Sequence, residues 1–517
     1  MGADGLIEKG RENLLVQSNQ FDTTWSKQSV SVTSGQSGYD GSSDAWILES
    51  SIIGGYIRQY KSTSGVNSFS IYAKANSTDG IALRLVGITN NPYIYFDLTN
   101  GDLLSQSVST DIINVNDSES LGGGWYRFSV SYKGSLTQVR MYPSDTSTTQ
   151  VIGSIYIQDA QVEIGLAATD YIESGASTGK AGLLEDEPRF DYSGGATCPS
   201  LLLEPSRTNL IPQSEYLTNN NSFSSINVTL ESGFYESPEG LSNAYKWTTT
   251  NPNSNAFVDL GRFNTTIGTT YSFSFYLKSD ASNVNVKCSF TRGTTEQIIA
   301  ELTTEWKRFD ITFTADNSDK DFLILLGDYG ITNPAQTIFV YGIMQEAGSY
   351  PTSYIPNHSG GTITRGDDFI VNSNDLTGLF GSDEGAFYFE TDNTIFKGED
   401  SNNNYLGFLE SSSGNYFRFR GSDTSILVQS IGYGSNISFN PSGATLTKYL
   451  YKWDGSTIKL FVDGVERGSV SQTATFNPDT FRAAGGSSFY TIKTNLKQML
   501  VFTEALSDAD CITLTTI

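Results

Sequence analysis

The sequence predicts an all-β protein made of three antiparallel β-sandwiches in tandem, the first two being copies of one domain. Three observations carry this expectation. Apolar and polar residues alternate with a period of two through the long segments, glycine-containing turns close those segments, and landmarks in the first third recur in the same order in the second.

The alternation is clear in Phe69-Ser70-Ile71-Tyr72-Ala73-Lys74, where Phe69, Ile71 and Ala73 share one face and Ser70, Tyr72 and Lys74 the other. The same period in Trp125-Tyr126-Arg127-Phe128-Ser129-Val130-Ser131-Tyr132 puts Tyr126, Phe128, Val130 and Tyr132 together, opposite Ser129 and Ser131. Such strands have one face for a core and one for water, as in a sandwich of two sheets. Neither copy shows a convincing helical stripe.

The repeat comes next. Asn13-Leu14-Leu15-Val16-Gln17-Ser18 recurs as Asn209-Leu210-Ile211-Pro212-Gln213-Ser214, and Phe69 to Lys74 recurs as Phe273-Ser274-Phe275-Tyr276-Leu277-Lys278. Trp125-Tyr126-Arg127-Phe128 answers to Trp306-Lys307-Arg308-Phe309. Each copy closes alike, Glu163-Ile164-Gly165 and Thr169-Asp170-Tyr171-Ile172 matching Glu346-Ala347-Gly348 and Thr352-Ser353-Tyr354-Ile355. The expected organisation is a leader at 1–10, a first domain at 11–175, a connector at 176–208, a second domain at 209–358 and a third at 359–517. Within the connector, the apolar run Leu201 to Leu203 is expected to pack on a neighbouring domain rather than flex.

From about Gly360 the landmarks change. Tyr449-Leu450-Tyr451-Lys452-Trp453 and Ile458-Lys459-Leu460-Phe461-Val462 read as strands, with Asp454-Gly455 and Asp463-Gly464 supplying the φ > 0 positions of two-residue hairpin turns. Leu496 to Phe502 reads as a last strand, and in Ala505-Leu506-Ser507-Asp508-Ala509-Asp510 the hydroxyl of Ser507 is placed to cap a short helix.

Composition bounds the rest. A chain of 517 residues exceeds one core, since domains run to roughly 100 to 200 residues. Its 50 glycines against 13 prolines, with 30 Phe and 28 Tyr, suit short strands and many tight turns. The formal charge of −24 opposes binding to phosphate backbones and anionic lipid, so nucleic acid is excluded as a partner. Membrane insertion is not expected either, because no run of 18 apolar residues occurs. The start, Met1-Gly2-Ala3-Asp4-Gly5-Leu6, has no signal-peptide core. Cys198, Cys288 and Cys511 are too far apart for a metal pair and read as small core residues.

Two resemblances rest on these residues. The order of strands, Asp-Gly turns and the closing Ala505-Leu506-Ser507-Asp508 resembles the laminin-G-like branch of the concanavalin A-type lectin fold, over roughly 384–517. The repeated units resemble carbohydrate-binding-module jelly rolls as they occur in structural proteins of tailed phages. The phrases that carry this are Asp4-Gly5-Leu6-Ile7-Glu8-Lys9, Tyr156-Ile157-Gln158-Asp159-Ala160-Gln161-Val162-Glu163 and Pro199-Ser200-Leu201-Leu202-Leu203-Glu204-Pro205, then Thr208-Asn209-Leu210. The resemblance implies a non-catalytic protein of the virion surface, made in the host bacterial cytoplasm and serving as capsid decoration, head fibre or tail fibre. The short leader favours the capsid or head fibre. Implied partners are other virion proteins and cell-surface or environmental glycans, with the chain as a homo-oligomer or attached to a lattice. A purely architectural role and a polysaccharide depolymerase are the alternatives.

No catalytic residue is expected. The lone His358 stands in the joint Pro356-Asn357-His358-Ser359-Gly360 between the second and third domains, so a nucleophile working through a histidine base has no other partner. Glycoside hydrolysis needs two carboxylates about 5 to 10 Å apart. Family-sixteen glycosidases, which share the concanavalin-type fold, place them as Glu-x-Asp-x-x-Glu on one strand. Glu390-Thr391-Asp392 starts that pattern, but Ile395 holds the place of the last acid.

Glycan contacts need exposed aromatic rings with planar polar groups beside them. In the third domain Tyr405 and the alternating Tyr416, Arg418 and Arg420 are candidates, with a plain solvent-facing sheet as the competing reading. In the first domain Tyr93 and Tyr95 share a face, with inter-domain packing as the competitor. No cofactor or metal site is assigned. Jelly-roll modules often carry a structural calcium, and Asp316-Asn317-Ser318-Asp319-Lys320-Asp321 has the oxygen density for one. It lacks the glycine and bidentate Glu of a standard calcium loop, which favours a solvated turn.

Overall fold

The runs of period two become strands, paired almost everywhere with antiparallel neighbours. A computed structural model describes residues 9–517 apart from 116–117, 184–186, 193–198, 218–223, 252–255, 282–283, 290–296, 317–318, 328–335, 369, 373–375, 377, 381–382, 396–403, 411–415, 422–425, 432–435, 440–447, 484–489 and 492. Among the described residues the one α-helix is Asp508–Thr515, capped by Ser507, whose Oγ accepts from the Asp510 N–H at 3.1 Å. Among the described residues no helix is long and apolar enough to cross a membrane.

The sheets form tandem sandwiches. In the first unit one sheet runs Ile112–Val115, Trp125–Lys133, Val66–Ala75, Gly153–Ile164, Ala45–Ser50, Val30–Gln36. The facing sheet runs Ser26–Gln28, Tyr56–Tyr60, Gln138–Ser144, Gly80–Val86, Tyr93–Asp97, Leu103–Gln106. Trp25, Phe69, Ile71, Leu83, Phe96, Phe128, Val130 and Met141 fill the space between. The second unit pairs a sheet ordered Val228–Glu236, Ser242–Thr249, Thr337–Ala347, Thr270–Ser279, Lys307–Thr314 with one ordered Ser224–Ile226, Ala256–Asn264, Asp319–Gly327, Val284–Ser289, Gln297–Leu302, over a core around Trp247, Phe273 and Phe322. The third packs its sheets around Phe387, Tyr451, Trp453 and Leu460. Cys288 and Cys511 are buried and free; Cys198 lies outside the described residues.

The repeated landmarks have a structural cause. In the first unit Asn13 ties the entering chain to the closing strand: its Nδ2 donates to the carbonyls of Ala160 and Ile172, and its Oδ1 accepts from the N–H of Leu15 and Val162. In the second, Asn209 donates to the Ile355 carbonyl and accepts from the N–H of Ile211 and Gln345. Glu163 accepts from the backbone and hydroxyl of Thr169, and Glu346 does the same for Thr352. Arg127 and Arg308 each reach across the outer face to a serine, Ser70 or Ser274, and to the carbonyl of Thr169 or Thr352. The repeat therefore records a clasp that closes each sandwich, because buried polar groups must find partners.

That clasp changes one expectation. Ser70 and Tyr72, read as the wet side of their strand, are buried, because the segment from Thr169 to Ile172 folds back across them. The strand is covered on both faces.

The first two units meet through charge. Lys9 lies 2.5 Å from Glu215, Lys9 and Arg11 both pair with Glu239, and the hydroxyls of Tyr341 and Tyr354 each donate to Glu215 at 2.9 Å. Val66 and Leu166 of the first unit join the apolar core of the second. His358, expected between the second and third domains, belongs to this joint instead: its carbonyl accepts from the Val66 N–H at 3.0 Å and its Nε2 lies 3.5 Å from Glu215.

The segment expected as a connector supplies strands. Gly179–Ala181 pairs with Arg11–Asn13, and Ser200–Leu203 adds to the sheet edge of the third unit, Leu201 opposite Leu496 and Leu203 opposite Thr494. Glu204, buried, then binds Arg189 at 2.9 Å and Arg365 at 3.0 Å and accepts from the Ser353 N–H. Asp368 closes the network on Arg189.

One turn also differs. Asp463 and Gly464 both have φ > 0, at 47° and 76°, the pattern of a type I′ hairpin. At the earlier turn the tip is Gly455-Ser456 rather than Asp454-Gly455. Asp454 N–H bonds the Thr457 carbonyl at 3.2 Å, and Gly455 alone has φ > 0, as at the first position of a II′ turn. The Asp454 carboxylate instead accepts from the N–H groups of Ser456 and Thr457. Partial burial works against its charge, but the Ser456 hydroxyl, donating to it at 2.7 Å, and these N–H groups hold its pKa down at about 2.

Candidate functional site

The outward face of the first unit's second sheet follows from the same alternation that fills its core. Along Tyr56–Tyr60, Ile57 and Gln59 point inward, leaving Tyr56, Arg58 and Tyr60 outside. Along Gln138–Ser144, Val139 and Met141 are core, so Gln138, Arg140 and Tyr142 share the outer face. Leu83 and Leu85 place Arg84 outside, and Ile94 and Phe96 do the same for Tyr93 and Tyr95.

Register sets these residues in rows. Arg58 pairs with Arg140, Arg140 with Arg84, and Arg84 with Tyr93, on four adjacent strands. The next row has Tyr142 opposite Ala82 and Ala82 opposite Tyr95. The Tyr56 and Tyr142 ring centroids are 5.0 Å apart, Tyr142 and Tyr93 5.6 Å, and Tyr93 and Tyr95 6.0 Å and stacked. Guanidinium groups lie over the rings: Arg140 over Tyr56 at 4.6 Å, Arg58 over Tyr60 at 4.6 Å and Arg84 over Tyr93 at 4.5 Å.

Polar contacts hold the geometry. Gln138 Oε1 accepts from Arg140 Nε at 2.8 Å and from Arg58 Nη1 at 3.4 Å, and Gln150 donates to the Tyr95 hydroxyl at 2.7 Å. Burial, with a hydrogen bond to Tyr142 next in size, pushes the Tyr93 hydroxyl up to about 12, and burial raises that of Tyr95. Both are therefore protonated at neutral pH and available as donors or acceptors. The face offers flat apolar ring surface edged by planar donors, the chemistry that suits a sugar's C–H face and its hydroxyls.

Tyr93 and Tyr95 thus lie together and half-exposed on an outer face, with Arg84 over the Tyr93 ring. Sequence reasoning missed Arg58, Arg84, Arg140, Tyr56 and Tyr142. In the third unit the backbone register sets Tyr405 opposite Arg420, Phe408 opposite Arg418 and Glu410 opposite Tyr416. The four candidates there share two neighbouring strands, but the side chains of Tyr405, Tyr416, Arg418 and Arg420 lie outside the described residues. On the strand Gly385–Ile395, Glu390 is half-buried and accepts from the Tyr388 hydroxyl at 3.1 Å; the side chain of Asp392 lies outside the described residues. Among the described residues no group of three or more His, Cys, Asp or Glu could hold a metal. Residues 317 and 318 of the acidic loop lie outside them.

No family model matches the chain, and no curated protein sequence matches it. Solved structures give loose likenesses. A structure described as "CBM4 structure and function" is 17% identical, with 32% of this chain and 96% of that chain covered and a TM-score of 0.19. The tandem CBM22 domains of Paenibacillus barcinonensis Xyn10C are 11% identical, with 66% and 100% covered and a TM-score of 0.23. The LG1–3 region of the laminin α2 chain is 11% identical, with 88% and 96% covered and a TM-score of 0.18.

Proposed function

We propose that the chain is a non-catalytic adhesion protein that binds glycans, carried on the surface of a tailed-phage virion. One observation carries the binding: the outer face of the first unit displays Tyr56, Tyr93, Tyr95 and Tyr142 in contact with one another and with Arg58, Arg84 and Arg140, on a rigid sheet. Rings placed on strands are held without further ordering, so sugar binding there costs little conformational entropy. The virion setting is supported by the phrases around Asp4, Tyr156 and Pro199 that resemble phage structural proteins.

A glycan array probed with the intact chain tests the binding, with signal expected and lost on Tyr93→Ala with Tyr95→Ala. Absence of any bound glycan at millimolar sugar would leave the architectural role. Electron micrographs of virions carrying a label on this chain test the location.

A further inference from the structure

We infer that the tyrosine and arginine face selects acidic glycans, reading carboxylates along the chain of a uronate-containing polysaccharide. This deepens the proposed glycan-binding role and rests on it.

The argument starts from charge placement. Arg58, Arg140 and Arg84 are direct neighbours on three adjacent strands. Like charges set directly opposite one another destabilise a sheet. A chain with 56 acidic residues against 32 basic ones has every means to neutralise such a row, yet among the described residues no carboxylate comes within ion-pair distance of any of the three. Asp97, at the end of the strand Tyr93–Asp97, accepts from the N–H and hydroxyl of Thr99, and Asp145 from the N–H groups of Ser147 and Thr149, each through one oxygen and within its own turn.

The internal bonds leave donors over. Arg140 uses Nε on Gln138, Arg84 uses Nε on the Asn91 carbonyl at 3.3 Å, and Arg58 gives Nη1 to Gln138. Stacking on Tyr56, Tyr60 and Tyr93 fixes the guanidinium planes without consuming their terminal N–H groups. What remains is a set of three oriented forks carried on strands about 4.8 Å apart. Each fork matches a planar carboxylate, and the parallel row of rings in the adjacent register takes the apolar side of the same sugars. A neutral glycan would satisfy the rings and leave the row of positive charge uncompensated.

The test uses matched polymers with the intact chain. Polygalacturonate, alginate and hyaluronate are each compared with their carboxyl-reduced counterparts by calorimetry, with dextran sulfate against dextran as a further pair. The expected result is that at least one uronate polymer binds about tenfold or more tightly than its reduced form, with affinity falling as salt rises. Arg140→Gln and the triple change Arg58→Gln, Arg84→Gln, Arg140→Gln should erase that preference in a chain that still folds, with the triple change melting no lower than the native chain because the opposed charges are gone. Tyr95→Ala should weaken acidic and reduced forms alike. Equal affinity for acidic and reduced polymers overturns the inference and leaves glycan binding standing. Preference for dextran sulfate alone overturns the carboxylate assignment, and binding to no polymer of any pair overturns both readings.

Discussion

Asp159 and Gly342 occupy the same place in the two repeated units. Each has a left-handed backbone, φ 55° and 62°, within the bulge where the closing strand shifts register against the strand carrying Tyr72 or Tyr276. The bulge is common to both, but the environment is not. A Cβ on Gly342 would stand 3.3 Å from the rings of Tyr276 and Tyr354, whereas Asp159 has room for a carboxylate that accepts from the Tyr39 hydroxyl at 3.0 Å.

Gly342→Ala should therefore destabilise the second unit by about 1 to 3 kcal/mol, the cost of holding an alanine at that φ, with ring contact added. Thermal unfolding checks this; an unchanged midpoint would show that the bulge relaxes freely.

Asp159 should make stability depend on pH. Burial first, and then the charges of Asp44 and Asp40, push its pKa up to about 7, against about 3.9 in an unfolded chain. The fold thus binds this proton more tightly than the unfolded state does. Its penalty is absent below about pH 4, grows as pH rises, and is complete above about pH 7. Asp159→Asn keeps an acceptor for Tyr39 and tolerates the left-handed backbone. It should match the native chain near pH 4 and exceed it at pH 8 by on the order of 2 kcal/mol. Midpoints measured at both pH values decide it.

Glu204 stands between Arg189 and Arg365. Glu204→Ala should cost about 3 to 5 kcal/mol, because two guanidinium groups lose their shared partner in a buried site. The third unit should loosen from the second, read as a split of one unfolding transition into two.

Lys9 supports the other joint. Burial lowers its pKa to about 8, with the charge of Glu215 opposing that shift. Lys9→Met should leave Glu215 and Glu239 short of positive charge and destabilise by several kcal/mol. Adding Glu239→Gln should recover part of the loss. A double change as damaging as the sum of the single ones would show the groups act independently.

How far the sequence could be read follows from which residues are neighbours along the chain. Tyr93 and Tyr95, two apart on one strand, are legible as a shared face from alternation alone. Arg58, Arg84 and Arg140 alternate just as clearly within their own strands, but they come together only through cross-strand register, which one sequence does not specify. The repeat was legible and its meaning was not. Asn13, Glu163 and Arg127 read as fold landmarks, yet what they share with Asn209, Glu346 and Arg308 is the need to satisfy buried backbone where a sandwich closes. The reassignment of His358 has the same origin, since residues consecutive with the third unit pack on the first through contacts distant in sequence.

The last prediction separates ring contact from structure on the proposed binding face. Tyr142 is buried under its neighbours, whereas Tyr93 and Tyr95 are half-exposed. Tyr142→Ala should therefore lower stability and binding together, because it removes the floor on which Tyr56 and Tyr93 rest. Tyr95→Ala removes a half-exposed ring held by its stack on Tyr93 and the bond from Gln150, so stability should fall less than for Tyr142→Ala while glycan affinity drops by more than about 1 kcal/mol, the scale of an interface anchor. Tyr95→Phe keeps the ring and loses the hydroxyl. If affinity follows the ring, Phe should bind nearly as well as Tyr; a loss as large as that of Ala would move the recognition to the hydroxyl and its partner Gln150. Calorimetric titration of the three variants alongside their melting curves distinguishes these outcomes.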